Sequence, residues 1–290
     1  MNEIKTVLLT GATGYLGSQL LEKLLIQNYK VCVIKRENSN LNRIKYLIGN
    51  YELYNNDEQS LNRLFNENDI DLIIHTATSY GRKGESLLEI KEANLDFPLR
   101  LLKFALEFKV RYFVNTATSL PFLTNQYSLF KNQFSECLEF FSTKITSVNI
   151  LLEHFYGPND DETKFVTGMI RKMKQNVQKI ELTLGVQIRD FIFIEDVLDA
   201  YLVVIDNLDK FCGFNNLPLG YGEGITIRKI VELIKTYSES DSELVFGAIP
   251  MRETELMKSD ANISRLNDLG WFPKYKIEEG LKITIKSEQN

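Results

Sequence analysis

The chain has 290 residues, 44% apolar, 25% charged and 11% aromatic. That balance is too apolar for a disordered or low-complexity protein, and the length is enough to bury a full α/β core. Thirty-nine acidic against 34 basic side chains give a net charge of −5, which excludes a protein whose main task is to neutralise phosphates along DNA or RNA.

The first residues, Met1-Asn2-Glu3-Ile4-Lys5, lead into an apolar run too short and too acidic for a signal peptide, and no run approaches a membrane span. In chain order, Ile4 to Thr10, Lys30 to Lys35, Asp71 to Thr76, Arg111 to Thr116 and Thr146 to Leu152 are short, mostly apolar runs bounded by polar or glycine positions. Such runs predict strands buried on both faces. Between them, Tyr15 to Asn28, Gln59 to Asn68, Glu85 to Phe108 and Gln126 to Phe141 carry apolar residues at helical spacing; Phe130, Phe134, Cys137, Leu138 and Phe141 form one stripe. The alternation predicts an α/β fold, a Rossmann-like doubly wound parallel sheet with helices on both faces.

After Tyr156-Gly157-Pro158 the rhythm breaks. Asn159 to Lys164 and a basic helix from Phe165 to Gln175 predict an excursion, Asp190 to Asn207 reads as a returning strand and helix, and Gly213 to Gly224 opens a second excursion. The expected division is a sheet domain from 1–156 and 187–214 and a smaller lobe from 157–186 and 215–290. Cys32, Cys137 and Cys212 are odd in number and far apart, so they offer no disulfide framework or zinc pair and fit a reducing cytoplasm.

The first strand runs into Thr10-Gly11-Ala12-Thr13-Gly14-Tyr15-Leu16-Gly17 and then directly into an amphipathic helix. Gly11 suits the tight turn, Gly14 allows close backbone approach to a pyrophosphate, and Gly17 permits helix–strand packing, with the helix N-terminus offering amides to the anion. This G-x-x-G-x-x-G spacing resembles the extended short-chain dehydrogenase/reductase superfamily. The resemblance implies that Thr13, Tyr15, Leu16, Thr76 and Ala77 also line the cofactor.

The second strand ends in Lys35-Arg36, with no carboxylate placed to accept a ribose 2′-hydroxyl. Arg36, Ser39 and Arg43 follow instead, and a guanidinium takes a 2′-phosphate bidentately. These residues favour NADPH over NADH, although Glu37 nearby leaves NAD open.

Tyr127 and Lys131 stand four residues apart, hence on one helix face. With thirteen tyrosines roughly one Tyr-x-x-x-Lys is expected by chance, so the weight lies in its place. It opens the helix after the strand that ends in Asn115-Thr116-Ala117-Thr118-Ser119, at the sheet edge where ligands bind. A free phenol near pKa 10 is a sluggish acid-base, and an adjacent ammonium would activate it. Tyr127 is therefore read as proton donor to a developing alkoxide and Lys131 as its activator and a ribose anchor; the resemblance, by the offset of the superfamily's catalytic Ser/Thr from the strand, implies Thr118 as the hydroxyl on the reacting oxygen. Thr116 and Ser119 are rivals for that last role. His75, in Ile74-His75-Thr76-Ala77, is read as a packed structural residue.

The likeness extends through Asn94, Tyr156-Gly157-Pro158, the segment Arg189-Asp190-Phe191 to Glu195-Asp196-Val197, and Leu269-Gly270-Trp271. Together these resemble the extended members that act on nucleotide-diphosphate sugars. That resemblance implies that Arg189 contacts the substrate diphosphate and that Arg252 is the candidate for a second contact; a surface salt bridge is the other reading of Arg252. A narrower similarity, in Asn115 to Pro121, Tyr127 to Lys131, Leu152 to Pro158 and Thr163-Lys164-Phe165, is to CDP-abequose and CDP-paratose synthases and related dTDP-sugar 4-ketoreductases of surface-polysaccharide pathways. It implies that Tyr80, Arg82, His154 and Lys164 line the sugar-nucleotide pocket. Leu151 stands where relatives often carry arginine.

A 4,6-dehydratase needs an acid and a base to eliminate water; the family this chain resembles places an Asp-Glu pair directly after the catalytic threonine, and Ser119-Leu120 stands there. A 4-epimerase uses the same tyrosine, threonine and lysine with retained NAD, and a non-catalytic sensor or scaffold needs only the glycine turn. The expected activity is NADPH-dependent reduction of a nucleotide-diphosphate 4-keto-6-deoxy sugar in the cytoplasm. The resemblance also implies a homodimer through helices near 93–108 and 126–142.

Overall fold

The computed structural model describes residues 4–252 and 255–288. Strand β1 (Thr6–Thr10) is buried along its whole length and feeds α1 (Tyr15–Ile26), and the chain then alternates through β2 (Lys30–Lys35), β3 (Glu52–Asn55), α2 (Glu58–Glu67) and β4 (Leu72–His75). Next come α3 (Leu87–Lys91), α4 (Phe97–Glu107), β5 (Tyr112–Thr116), α5 (Gln126–Phe140) and β6 (Thr146–Leu152). Strands β1 to β6 pair in parallel. Their spatial order is 3-2-1-4-5-6, with Phe214–Leu219 added beside β6 as a seventh strand. The order reverses between β1 and β4, which is the switch point where open α/β sheets bind ligands.

Apolar residues at the predicted spacing bury the helices on this sheet. Leu8, Ile73 and Phe113 from the strands meet Leu61, Leu64 and Phe65 of α2, Leu101 and Phe104 of α4, and Phe134 and Leu138 of α5 in one core. The predicted helix from Glu85 to Phe108 forms with one irregularity: Glu92–Asp96 is a turn of π-helix joining α3 to α4.

The remaining elements are β7 (His154–Tyr156), α6 (Phe165–Lys174), β8 (Lys179–Leu182), β9 (Ile188–Phe193), α7 (Ile194–Asp206), β10, which is the Phe214–Leu219 strand already described, β11 (Gly224–Thr226), α8 (Ile227–Tyr237), β12 (Glu243–Phe246), α9 (Ser264–Asp268) and α10 (Ile277–Ser287). Strands β11, β9 and β7 form a small sheet of their own, and β12 pairs with β8. The chain divides into two compact units, 1–151 with 204–217 and 152–203 with 218–290.

Two sequence expectations are corrected here. The strand read at Asp190 to Ile194 does not return to the central sheet; β6 ends at Leu152, and β7, two residues on, pairs in parallel with β9 instead. Residues 187–203 accordingly lie in the unit without the large sheet. Conversely, the region from Gly213 supplies an outer strand of the central sheet rather than an excursion. Pro218 disguised it, because a residue without an N–H reads against a strand, yet an edge strand tolerates one. The short strand β3 carries little local signal, being a four-residue edge strand in which only Tyr54 is buried.

In the second unit, two buried aspartates brace loops rather than face a ligand. The Asp190 carboxylate accepts the amides of Tyr221, Gly222 and Ala261 at 2.7, 2.9 and 3.1 Å. Asp196 accepts those of Lys274 and Tyr275, while its carbonyl takes the Trp271 indole N–H. Burial pushes both carboxyls above their ordinary pKa, and the amides oppose that push. No helix among the described residues is long and apolar enough to cross a membrane.

Candidate functional site

At the end of β1 the chain turns through Gly11 at φ +76°, a conformation that favours glycine. A Cβ at Gly11 would lie 2.5 Å from the Thr76 hydroxyl and 2.6 Å from the Ala77 amide nitrogen, and one at Gly17 would lie 2.2 Å from the Gly11 carbonyl oxygen. The glycines therefore let α1 and the end of β4 close on the turn. Thr76 completes it by donating its hydroxyl to the Thr10 carbonyl at 2.8 Å. Gly14 is exposed, whereas Tyr15 and Leu16 are buried and Thr13 is half-buried. Helix α1 starts at Gly14 with no side chain capping its amides and no acidic residue in its first turn.

That arrangement fits the pyrophosphate of a nicotinamide dinucleotide: an uncapped helix start, free of negative charge, meets a turn stripped of side chains. Downstream of β2, Arg36 is exposed, and its amide donates to the Ser39 hydroxyl at 3.1 Å, which folds the basic loop back on itself. The Arg43 guanidinium lies 5.5 Å from the centre of the Tyr15 ring. Arg43 is thereby brought to the glycine turn.

The third element is the start of α5. Asn125 and Ser128 form a reciprocal cap, in which Asn125 Oδ1 accepts the Ser128 amide at 2.9 Å and Ser128 Oγ accepts the Asn125 amide at 3.1 Å. Tyr127 sits in this first turn, half-buried, and Lys131 follows one turn later at only 2% exposed. Thr118 is buried, and its Oγ1 accepts the Leu120 amide at 3.2 Å. Thr118 and Thr78 lie near enough to the Tyr127 phenol to favour its ionised form. The Tyr80 ring lies 4.9 Å from that of Tyr127, and the Arg82 guanidinium lies 4.8 Å over Tyr80.

The electrostatics follow from burial. Desolvation pushes the Tyr127 phenol up to about 12, opposed by Thr118, the positive charge of Arg82, and Thr78. Desolvation pulls Lys131 down to about 7, and its ammonium donates to the Thr116 carbonyl at 2.8 Å. The lysine was expected to act on the phenol; its hydrogen bond goes instead to the end of β5. Behind it, His75 is fully buried among Phe97, Phe113 and Phe134, bonds Thr10 Oγ1 through Nδ1 at 2.8 Å, and is held neutral by burial and by the charge of Lys131.

Of the remaining predicted residues, four lie in the second unit. Arg189, 8% exposed, donates to Glu255 at 2.6 Å and to the Ile188 carbonyl at 2.8 Å. His154 Nδ1 lies 3.5 Å from the buried Glu153, whose other carboxylate oxygen accepts the Ser259 hydroxyl at 2.6 Å. Lys164 pairs with Asp160 at 3.1 Å and lies 3.6 Å from the centre of the Phe155 ring. Arg252 is exposed, and its carbonyl accepts the Glu255 amide at 3.1 Å. The sequence reading had not singled out Thr78, Glu153 or Glu255. Thr78 alone had a signal, being two residues beyond Thr76 at the switch point.

Residues 7–215 match the NAD dependent epimerase/dehydratase family. A CDP-abequose synthase of Salmonella typhimurium is 32% identical over 290 residues, covering 97% of each chain. A CDP-abequose synthase of Yersinia pseudotuberculosis is 24% identical over 97% of this chain and 99% of its own. Among solved structures, the UDP-glucose 4-epimerase of Thermus thermophilus in complex with NAD superposes with a TM-score of 0.84 at 20% identity, covering 98% of this chain and 99% of that one. The glycine turn at the switch point and the Tyr127/Lys131 helix thus sit in a fold, and a sequence, of known lineage: the chain belongs to the NAD dependent epimerase/dehydratase family.

Proposed function

We propose that this protein reduces the 4-keto group of a nucleotide-diphosphate 4-keto-6-deoxy sugar, CDP- or dTDP-linked, with NADPH, for a surface polysaccharide. The observation that carries the reading is Tyr127 in the first turn of α5, with the buried Lys131 one turn on, in a chain similar end to end to a CDP-abequose synthase.

Gly11, Thr13, Gly14, Tyr15, Leu16 and Gly17 would hold the dinucleotide pyrophosphate, with Thr76 and Ala77 beside it, and Arg36, Ser39 and Arg43 would take the 2′-phosphate. When bound, the reduced nicotinamide supplies hydride to the carbonyl carbon. Tyr127 gives its proton to the carbonyl oxygen as negative charge develops there, and Thr118 donates a hydrogen bond to the same oxygen. Lys131 anchors the nicotinamide ribose and lends its charge to the phenolate. Tyr80 and Arg82 in the first unit, and His154, Lys164, Arg189 and Arg252 in the second, are assigned to the sugar nucleotide. The guanidinium groups among them suit a diphosphate.

The test is spectrophotometric: purified protein is mixed with NADPH and either CDP- or dTDP-4-keto-6-deoxyglucose. The expected outcome is loss of the NADPH absorbance with one of the two sugars. No loss with either sugar, using NADPH or NADH, overturns the reading. Interconversion of a sugar epimer pair without net loss of reduced cofactor would establish the 4-epimerase instead.

A further inference from the structure

The Tyr80 ring touches both a cation and the ring of Tyr127, and the loop that carries it is fixed on both sides. Asn94 lies in the π-turn, fully buried, and clamps the segment after β4. Its amide nitrogen donates to the carbonyls of Ser79 at 2.8 Å and Ile90 at 2.9 Å, while its Oδ1 takes the Thr78 hydroxyl at 2.7 Å and the Ser79 amide at 3.3 Å. The Ser79 hydroxyl donates to Glu85 at 3.1 Å, and the other oxygen of that carboxylate accepts the Lys83 amide at 2.7 Å. Gly81, at φ +68°, packs so close to α3 that a Cβ there would lie 2.7 Å from Ile90 Cδ1. Anchored before and after, Tyr80 meets Tyr127 with ring centroids 4.9 Å apart and planes at 40°. The Arg82 guanidinium lies 4.8 Å over the Tyr80 ring, a cation–π seat two ring contacts from the phenol.

We infer that Tyr80 and Arg82 are positioning residues for the Tyr127 proton donor: the Tyr80 ring holds the Tyr127 ring and seats Arg82, whose positive charge eases release of the phenol proton. The inference rests on Tyr127 being the proton donor, and not on which sugar is reduced. It assigns to the loop after β4 a charge that helix spacing alone would credit to Lys131, whose ammonium donates to the Thr116 carbonyl. The charge of Arg82 acts on the phenol in the required sense, against the desolvation that suppresses ionisation. The other charged groups on the elements packed around Tyr127 stay the same when Arg82 is replaced. In the loop they are Lys83 and Glu85, the latter turned to Ser79. On α3 and the π-turn, Glu89 is turned to Ser86, Lys91 pairs with Asp96, and Glu92 pairs with Arg100. Helix α5 adds Lys131 one turn along, and residues 117–126 before it carry no charge.

The experiment reads Tyr127 directly. 3,5-Difluorotyrosine is placed at position 127, and its fluorine resonance is followed against pH with no substrate present. A single charge at roughly 10 Å, in the effective dielectric of a half-exposed site, moves such a midpoint by about half a pH unit. Arg82→Gln should raise the midpoint by about that much, Arg82→Lys should restore most of it, and about 1 M salt should shrink the difference. In a Tyr80→Leu background, which lacks the aromatic seat, Arg82→Gln should move the midpoint by less than about half as much, whereas Tyr80→Phe should leave the full shift. A midpoint unmoved by Arg82→Gln, one that lysine fails to restore, or an Arg82 effect as large without the Tyr80 ring as with it, overturns the inference. The readout uses no sugar nucleotide, so it stands even where the ketoreductase assay fails. Where that assay succeeds, Arg82→Gln should lower kcat about twofold; a raised KM with the midpoint unmoved would confine both residues to the sugar-nucleotide pocket and overturn the inference as well.

Discussion

The Arg189 guanidinium donates to the Glu255 carboxylate at 2.6 Å, from a side chain that is almost wholly buried. Burial lowers the arginine's proton affinity, and Glu255 and Glu153 both raise it, so a buried cation is held by two anions. If Arg189 is the diphosphate contact, the diphosphate must take the place Glu255 now fills. Glu255→Gln keeps the shape, removes the competing charge, and should lower the KM for the sugar nucleotide about fivefold with kcat little changed. Steady-state kinetics check this; a raised KM would show that Glu255 supports the arginine rather than competes for it.

Tyr127→Phe removes the one proton the mechanism transfers and leaves the glycine turn untouched. Cofactor affinity, measured by fluorescence titration, should stay within about twofold, while turnover falls about 10²- to 10⁴-fold. Unchanged turnover removes Tyr127 from the chemistry.

Lys131 carries a pH signature of its own. Its pKa falls from 10.5 unfolded to about 7 folded, so between those values the unfolded chain binds the extra proton and stability rises with pH. The penalty of burying the ammonium is complete below pH 7 and is relieved as pH climbs toward 10.5. Lys131→Met should therefore raise the melting temperature of the cofactor-free protein at pH 6, with a smaller gain or a loss at pH 10, while abolishing turnover. Thermal melts at the two pH values check the sign.

The basic loop after β2 distinguishes the cofactors. Arg36→Ala with Arg43→Ala should raise the KM for NADPH by about tenfold or more and change that for NADH little, because only the former has a 2′-phosphate for a guanidinium to hold. Equal effects on both would assign the arginines to adenine stacking, a role the position of Arg43 over Tyr15 also permits.

Local chemistry is what the sequence displays. Gly11 and Gly17 are legible because a turn that excludes a Cβ has few residue choices, and Tyr127 and Lys131 because a helix fixes residues four apart on one face. Strand Phe214–Leu219 was hidden by its proline, and the pairing of β7 with β9 by the absence of any local mark of which sheet a strand will join. The pairs that set the charges were beyond reach for a different reason. Arg189 and Glu255 are 66 residues apart and Thr78 and Asn94 are 16 apart, contacts that exist only once the fold brings them together.

The π-turn at Glu92–Asp96 sets the angular phase of everything after it. One residue more than an α-turn requires advances α4 by about 100° relative to a straight continuation of α3. Deleting a single residue there would regularise the helix and keep its hydrogen bonds, yet rotate Asn94 or the apolar face of α4 out of register, since both cannot stay in place on an unbroken helix. The irregular turn lets one continuous helix serve two masters, a buried amide on one side of it and a packed hydrophobic stripe on the other.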